Sequence, residues 1–307
     1  MYRLLKNGDV SDSNIESPYS TTGLEPDTEY SLQIERLADG IVVGRSNIIN
    51  VRTAEAEPEP EPPVIDDSIQ DFFDQTNADG FYRPIWNTST LFQDAAGTIP
   101  VTQDGDPVGL SLDVSGNNKH ITQTVAGSRP IYRTDGVYHW LEFDTAGKFL
   151  FNNDIKLTNP DDFASFNAVE VNPTGETVIP FAFTNSTTGS GVMYVINASG
   201  HITDRLRSLN ILRDDADYYD KLLILANRVS KSDTLSTSIV NDSVINEAVA
   251  PNLDSSEAYV LGRQRAVNNN FPALGRYYGG GCVINTHITL EQLDQFKNYI
   301  ASKSPQN

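Results

Sequence analysis

The chain has 307 residues, of which 38% are hydrophobic, and its 22 basic and 41 acidic side chains give a formal charge of −19. Its length suits two domains with packed cores. The negative charge argues against nucleic acid and anionic membranes as partners, because both would repel it. Residues 1–10 contain no apolar run typical of a signal peptide, and the single cysteine, Cys282, excludes an internal disulfide. We therefore expect folding in a reducing cytoplasm.

The first 54 residues predict a small antiparallel sheet. Stretches 2–6, 30–37 and 48–52 alternate apolar and polar residues, as strands with one buried face do. Turn signals such as Asn7-Gly8 and Asp39-Gly40 separate them. We expect residues 1–54 to form one β module.

Residues 55–63 read EAEPEPEPP. Proline withholds the N–H that a helix or sheet requires, and repeated negative charge extends the backbone. We interpret residues 55–66 as a linker and residues 67–307 as a second domain.

The second domain reads as a β-sandwich. Short β-rich runs recur between Gly, Asn and Asp clusters, at residues 138–143, 177–183, 192–196, 221–227, 237–240 and 258–261. Helical spacing is restricted to residues 69–75 and 290–301, the latter preceded by Thr289 as an N-cap. The glycines at 279–281 lack a following helix, so we interpret them as a tight β connection rather than a phosphate loop. The predicted fold class is all-β.

The sequence TTGLEPDTEYSLQIERLADG at residues 21–40 resembles the second half of a fibronectin type III domain, with Leu24, Pro26, Tyr30 and Thr53 at the family's positions. The resemblance implies that Leu24 enters the core and that the Tyr30 hydroxyl bonds back to the turn at Pro26, as in a tyrosine corner. It also implies that the first two strands of such a domain are absent. Two interpretations remain open: a family variant or chain boundary, or a docking module whose missing strands another subunit supplies.

The motifs DPV at 106–108, DVSGN at 113–117, RP at 129–130 and LEFD at 141–144 resemble the concanavalin A-like or laminin-G-like domain of bacteriophage virion proteins. The resemblance spans about residues 84–303 and implies a jelly-roll sandwich with a C-terminal helix. The family often has an aromatic residue immediately before the position of Asp113. This chain has Leu112 there, which removes one surface on which a sugar could stack.

A glycan-cleaving enzyme of this fold would carry acidic residues at alternate positions of one strand. Glu142 and Asp144 share a face, but the next residue on that face is Ala146, so the pattern is incomplete. The interpretation that these carboxylates cap strands or bond turn amides is favoured. We expect no catalytic residue.

Two oxygen-rich loops suggest a calcium site, because hard cations prefer carboxylate and amide oxygens. The candidate ligands are Asp104, Asp106, Asp113 and Asn117. The competing interpretation, which we favour, is that they shape turns by bonding their own backbone. No other cofactor is expected.

Aromatic side chains at Trp86, Tyr138, Trp140, Tyr277 and Tyr278 are suited to stacking on sugar rings, although most are expected in the core. Trp140 lies two residues before Glu142 and so shares the strand face of this charged residue, opposite the face of the apolar Leu141 and Phe143. This position predicts an outward-facing ring. We name Trp140, Glu142 and Tyr138 as candidate ligand-binding residues.

Taken with the virion resemblance, these observations favour a non-enzymatic structural or adhesive phage-particle protein: a tail fibre, tail appendage or head decoration that binds a host glycan or coats the particle. Made in the host cytoplasm, it would meet other virion proteins through residues 1–54 and be present in multiple copies. The alternatives are a glycan depolymerase and a bacterial surface or secreted lectin, the latter disfavoured by the missing signal sequence.

Overall fold

The computed structural model describes residues 1–21, 24–25, 27–53, 67–145, 147–158, 160–173, 177–184, 191–206, 218–249, 256, 258–265, 270–272 and 274–305. The chain divides into two compact units, Met1–Glu61 and Pro62–Asn307. The predicted linker, residues 55–66, lies outside the described residues. No helix in the described ranges is long and apolar enough to span a membrane.

The first unit is a single antiparallel sheet. Its strands are β1 (Tyr2–Lys6), β2 (Asp9–Ser13), β3 (Glu29–Ala38), β4 (Ile41–Arg45) and β5 (Ile49–Arg52). Their order is β2-β1-β3, and β4 and β5 pair with successive halves of the other side of β3. Since a lone sheet has no second layer to pack against, its buried apolar set is small: Leu4, Ile15, Tyr30 and Leu37.

The predicted tyrosine corner is present. The Tyr30 hydroxyl accepts a hydrogen bond from the Glu25 amide at 2.8 Å. Thr53 closes the same corner, because its hydroxyl donates to the Glu25 carbonyl at 2.6 Å and accepts from the Thr28 amide at 2.9 Å. Leu24 is only half-buried, so the prediction that it enters the core is wrong in extent. Pro26 lies outside the described residues.

The second unit contains two helices and eighteen strands within the described residues. In chain order they are α1 (Asp67–Thr76), β6 (Asp79–Pro84), β7 (Leu91–Phe92), β8 (Leu110–Ser111), β9 (Ile121–Thr122), β10 (Ile131–Thr134), β11 (His139–Phe143), β12 (Leu150–Asn152), β13 (Asp162–Val171), β14 (Phe181–Thr184), β15 (Gly191–Ile196), β16 (Ile202–Leu206), β17 (Leu222–Ser230), β18 (Leu235–Val240), β19 (Ser243–Val249), β20 (Ala258–Leu261), β21 (Arg263–Arg265), β22 (Asn270–Pro272), β23 (Gly275–Ile284) and α2 (Leu290–Ser302).

Two eight-stranded sheets form the sandwich. The first, named here the helix-covered sheet, has the order β10-β11-β23-β13-β17-β18-β19, and β6 also pairs with β23. The second has the order β16-β15-β14-β20-β12-β9-β8-β7, and β21 and β22 form a separate ribbon. The predicted all-β, jelly-roll sandwich with a C-terminal helix is confirmed.

The helix-covered sheet is buried on both faces over its centre. Phe163 and Val169 of β13 face the second sheet in one apolar core, whereas Phe166 belongs to a separate core beneath the helices. The Phe296 ring of α2 lies 5.1 Å from the Phe166 ring and 5.2 Å from the Phe72 ring of α1. The two helices therefore occupy the outer face, and only its margins are left for ligands.

Helix α2 begins where its sequence predicts. The Thr289 hydroxyl accepts from the Gln292 amide at 3.1 Å, and the Gln292 side chain accepts from the Thr289 amide at 2.8 Å. This reciprocal capping box satisfies two of the free N–H groups at the start of the helix. Helix α1 extends the predicted 69–75 by a few residues.

The glycines at 279–281 do not form a connection, and that prediction is wrong. They lie in the middle of β23, paired with β6 on one side and β13 on the other. A Cβ on Gly281 would lie 2.3 Å from the Phe81 carbonyl oxygen, and one on Gly279 would lie 2.8 Å from the Trp86 ring. Glycine is used here because neighbouring groups approach the strand closely.

Candidate functional site

Trp140 and Glu142 lie on the outer face of β11. Both are half-buried, while Leu141 and Phe143 between and after them point into the sandwich core. This is the alternation that the sequence predicts. Tyr138 precedes β11, in a turn that the Asp135 carboxylate closes by accepting the Tyr138 amide at 2.7 Å. Of the three predicted ligand residues, the strand itself carries two.

Five charged side chains cross the outer face around Trp140; we call them the charged row. The Arg133 Nε donates to Glu142 Oε2 at 2.7 Å, and Arg133 Nη1 lies 3.3 Å from Asp104 Oδ2. Arg276 Nη1 donates to Glu170 Oε2 at 3.3 Å. The strand order β10-β11-β23-β13 places Arg133, Glu142, Arg276 and Glu170 on four adjacent strands.

The charged row has an aromatic floor. The Arg276 guanidinium carbon lies 5.0 Å from the centre of the Trp140 ring, within the range of a cation–π contact. Tyr278, which is fully buried, packs against Trp140 with a centroid distance of 6.0 Å and donates its hydroxyl to Glu170 Oε2 at 3.1 Å. Burial raises the pKa of Tyr278 to about 12, so this hydroxyl remains a donor at neutral pH.

The charged row keeps hydrogen-bonding capacity at the surface. The Arg276 side chain is 40% exposed, and that of Asp104 is 51% exposed. A guanidinium carries five N–H donors, and a carboxylate accepts up to about four hydrogen bonds. The surface thus presents donors and acceptors side by side over an apolar ring.

The first pair of predicted calcium ligands serves other purposes. Asp104 Oδ1 accepts from the Thr134 amide at 3.0 Å, and its second oxygen belongs to the charged row. Asp106 Oδ2 accepts from the amides of Thr102 at 2.9 Å and Gln103 at 3.1 Å, which closes a tight turn. The Asp106 contacts are the turn-shaping alternative given by the sequence, whereas Asp104 bonds to the distant strand β10.

The second pair is also engaged with backbone. Asp113, 6% exposed, accepts three backbone amides at 2.9 Å each, from Tyr82, Ser115 and Lys119. The Asn117 amide donates to the carbonyls of Ala78 and Gly80. Among the described residues, no group of three or more His, Cys, Asp or Glu side chains is arranged to hold a metal ion. The structure does not bring the four predicted ligands into one cluster.

The remaining candidate aromatics are mainly structural. Tyr277 is 1% exposed and donates its hydroxyl to Asn167 in the sandwich interior. Trp86 packs between Tyr82 and Tyr299, with centroid distances of 6.3 and 5.9 Å. Tyr277 pairs with Leu141, and its ring points into the sandwich core with that side chain rather than toward Trp140.

Sequence reasoning missed Arg133, Arg276 and Glu170. A signal for Arg133 exists, because Asp135-Gly136 predicts a hairpin that would pair residues 131–134 with 139–142, as observed. For Arg276 and Glu170 the sequence holds no such signal. They come together only because β23 and β13 are neighbours in the folded sheet.

No family model and no curated protein matches the chain. Similar solved structures include an arabinofuranosidase complexed with arabinofuranosyl-alpha-1,2-xylobiose, at TM-score 0.47 and 12% identity over 64% of this chain and 51% of that one. They also include the Ruminococcus gnavus IT-sialidase CBM40 bound to alpha2,3 sialyllactose (TM-score 0.37, 12% identity, 47% of this chain, 84% of that one).

A third similar structure is a Trypanosoma rangeli sialidase in complex with 2,3-difluoro-KDN (TM-score 0.48, 9% identity, 89% of this chain, 44% of that one). The chain thus covers about half or less of the length of the two glycosidases. The three proteins are named for saccharides that they bind or act on, and at this similarity no residue role transfers from them.

Proposed function

We propose that this chain is a non-enzymatic component of a bacteriophage particle, a tail fibre, tail appendage or head decoration, whose second unit contacts a host-surface glycan. The observation that carries the glycan contact is the charged row over Trp140. The proposed partner of the first unit is another virion protein. In this arrangement the first unit anchors the chain to the particle and the second unit binds the glycan. The virion assignment is supported by the sequence resemblance given above.

The charged row suits a saccharide because each sugar hydroxyl both donates and accepts. Ion-paired arginines and carboxylates offer the two kinds of partner a few ångströms apart and hold them in fixed positions. The Trp140 and Tyr278 rings beneath keep the row in place by packing. Specific sites typically combine an apolar base with a small number of placed polar groups.

The second candidate function, a glycan depolymerase, is favoured by one feature. Glu142 and Glu170 both stand opposite Arg276, on the two strands that flank β23. Two strand spacings separate their backbones by about 10 Å. The carboxyl groups of inverting glycosidases lie about 6.5 to 9.5 Å apart, a distance that side chains on strands with this backbone separation can span.

The decisive binding experiment screens the purified chain on a glycan array and against polysaccharide of a susceptible host, with calcium and with a chelator. We expect a binder whose affinity falls at least about tenfold in Arg276→Gln, because hydrogen bonds to charged groups are strong. Arg52→Gln, an exposed ion-paired arginine of the first unit, is the matched control. Equal binding by Arg276→Gln would refute the charged row as the glycan site, and the absence of any binder would refute the glycan role.

Two further measurements separate the alternatives. Release of reducing sugar from host polysaccharide, abolished by Glu142→Gln, would replace the adhesive assignment with the depolymerase. Mass spectrometry of purified particles should detect the polypeptide in multiple copies. Its absence from particles would contradict the virion assignment.

A further inference from the structure

The first unit carries an open apolar groove on one face of its sheet. The groove encloses about 870 Å³, and its floor is formed by Tyr2, Leu4, Leu32, Ile34 and Ile49. The strand register makes this floor continuous, since Leu4 pairs with Ile34 and Leu32 pairs with Ile49. A continuous apolar sheet face in water is costly, and such faces normally mark a contact surface.

Three of the five floor residues remain exposed in the chain. Tyr2 is 47% exposed, Ile34 40% and Ile49 62%. Tyr19, which lines one wall, is 41% exposed. Among the described residues that line the groove, Glu16 alone has a charged side chain, so the groove favours an occupant that presents uncharged groups to it.

The segment that follows β2, residues 15–21, forms one wall of the groove, with Ile15, Glu16, Ser17, Tyr19 and Thr21 lining it. The Ile15 amide bonds to the Tyr2 carbonyl at 3.1 Å, which ties the start of this segment to β1. Beyond it, residues 16–21 make no backbone hydrogen bond to another described residue. Pro18 has no N–H, but the other residues of the wall offer free N–H groups, and all of them offer free C=O groups, beside an apolar floor.

We infer that the groove binds an extended strand of another polypeptide chain, with apolar side chains at alternate positions filling the groove and its backbone pairing with residues 16–21. Successive side chains of a strand point to opposite faces, so its apolar groups can face the floor of the groove while its polar groups face water. The strand would form the second layer of a sandwich that the sheet alone lacks. The inference rests on the anchoring role proposed above and is independent of the glycan contact.

The observations favour a strand over a helix or a second copy of this chain. A helix satisfies its own backbone groups and would form no main-chain hydrogen bonds with residues 16–21, whereas a strand can add such bonds to its apolar contacts. The four exposed apolar side chains, two tyrosines and two smaller isoleucines, offer at most about 400 Å², since a whole aromatic side chain contributes about 150 to 250 Å² and roughly half of each residue is exposed. Two copies placed face to face would bury about 800 Å², short of the roughly 1,000 Å² of a specific interface that lacks backbone pairing. Strand addition supplements a small area with main-chain hydrogen bonds.

The test uses the full chain and a synthetic nine-residue peptide in which threonine alternates with isoleucine and valine. We expect saturable binding, measured by fluorescence anisotropy, and slowing of amide hydrogen exchange in residues 16–21 by about tenfold or more. A peptide that alternates threonine with serine is the control and should do neither. The absence of binding or of protection at residues 16–21 would refute the inference.

Two variants check the location. Ile34→Asp and Ile49→Asp place a charge on the floor at positions that are already partly exposed, and each should weaken peptide binding at least about tenfold. Ile41→Asp, on β4 and 69% exposed but not part of the groove, should bind as wild type does. Circular dichroism establishes that each variant is folded. Equal binding by both floor variants would overturn the inference.

Sedimentation equilibrium addresses the competing occupant. A concentration-dependent dimer that Ile34→Asp dissociates would assign the groove to a second copy and overturn the strand assignment. Glycan binding by the same variants should be unchanged, since the charged row belongs to the other unit. A result that refutes strand binding in the groove is thereby distinguished from one that refutes glycan binding at the charged row.

Discussion

Replacing Gly281 by alanine should strongly destabilise the second unit. The added Cβ would lie 2.3 Å from the Phe81 carbonyl oxygen and 3.0 Å from the Phe166 ring. Relief requires β23 to move away from β6, and six register pairs from Asp79 to Pro84 resist such a movement. Overpacking of this kind costs typically 1–3 kcal/mol, and because the obstacle is backbone we expect about 3 kcal/mol.

For a unit of this size, that loss corresponds to a fall of about 6 to 12 °C in the melting temperature. Differential scanning calorimetry of the full chain measures it. Gly127→Ala is the matched control, because its new Cβ would have no heavy atom within 4 Å. A melting temperature for Gly281→Ala equal to that of the control would refute the reasoning that glycine is required by close strand approach.

Three further outcomes are expected. Tyr30→Phe removes the acceptor of the Glu25 amide and should destabilise the first unit by about 1 kcal/mol, seen as faster hydrogen exchange at that amide. Asp113→Ala leaves three backbone amides without their acceptor and should cost about 3 kcal/mol in urea unfolding, whereas an unchanged midpoint would contradict the capping role. Two arginine hydrogen bonds lower the pKa of Glu35, so the unfolded chain binds its proton more readily than the folded one. The first unit should therefore lose stability as the pH falls below about 4.3 and through the folded pKa, and Glu35→Gln should flatten this dependence.

Local signals in the sequence accounted for much of the fold. The bounds of β1 and β20 agree with the prediction, and so does the start of α2 at its Thr289 cap. These elements are specified by neighbouring residues: alternation for the strands, and a side chain that satisfies free amides for the helix. The tyrosine corner at Tyr30 is local in the same way.

The elements that were missed are specified by distant contacts. Strand β13 reads DFASFNAVEV and lacks alternation, because both of its faces are buried, one against the second sheet and one against helices. The strand predicted over 177–183 begins only at Phe181, since Pro180 before it has no N–H to donate. The sequence predicted only part of the charged row. Glu142 was named as a candidate ligand residue, but Arg276 joins the row only because β23 lies beside β11 in the folded sheet.

The pairing of β6 with β23 has a consequence for how the second unit is made. Strand β6 stands near the beginning of this unit and β23 near its end, yet the two are neighbours, and β23 also separates β11 from β13. During synthesis, β6, β11 and β13 cannot form their pairings with β23 until β23 has been made, so the helix-covered sheet remains incomplete until then. Folds dominated by such non-local pairing form slowly and expose strand edges meanwhile. The second unit should accordingly depend on protection from aggregation until synthesis of β23 is complete.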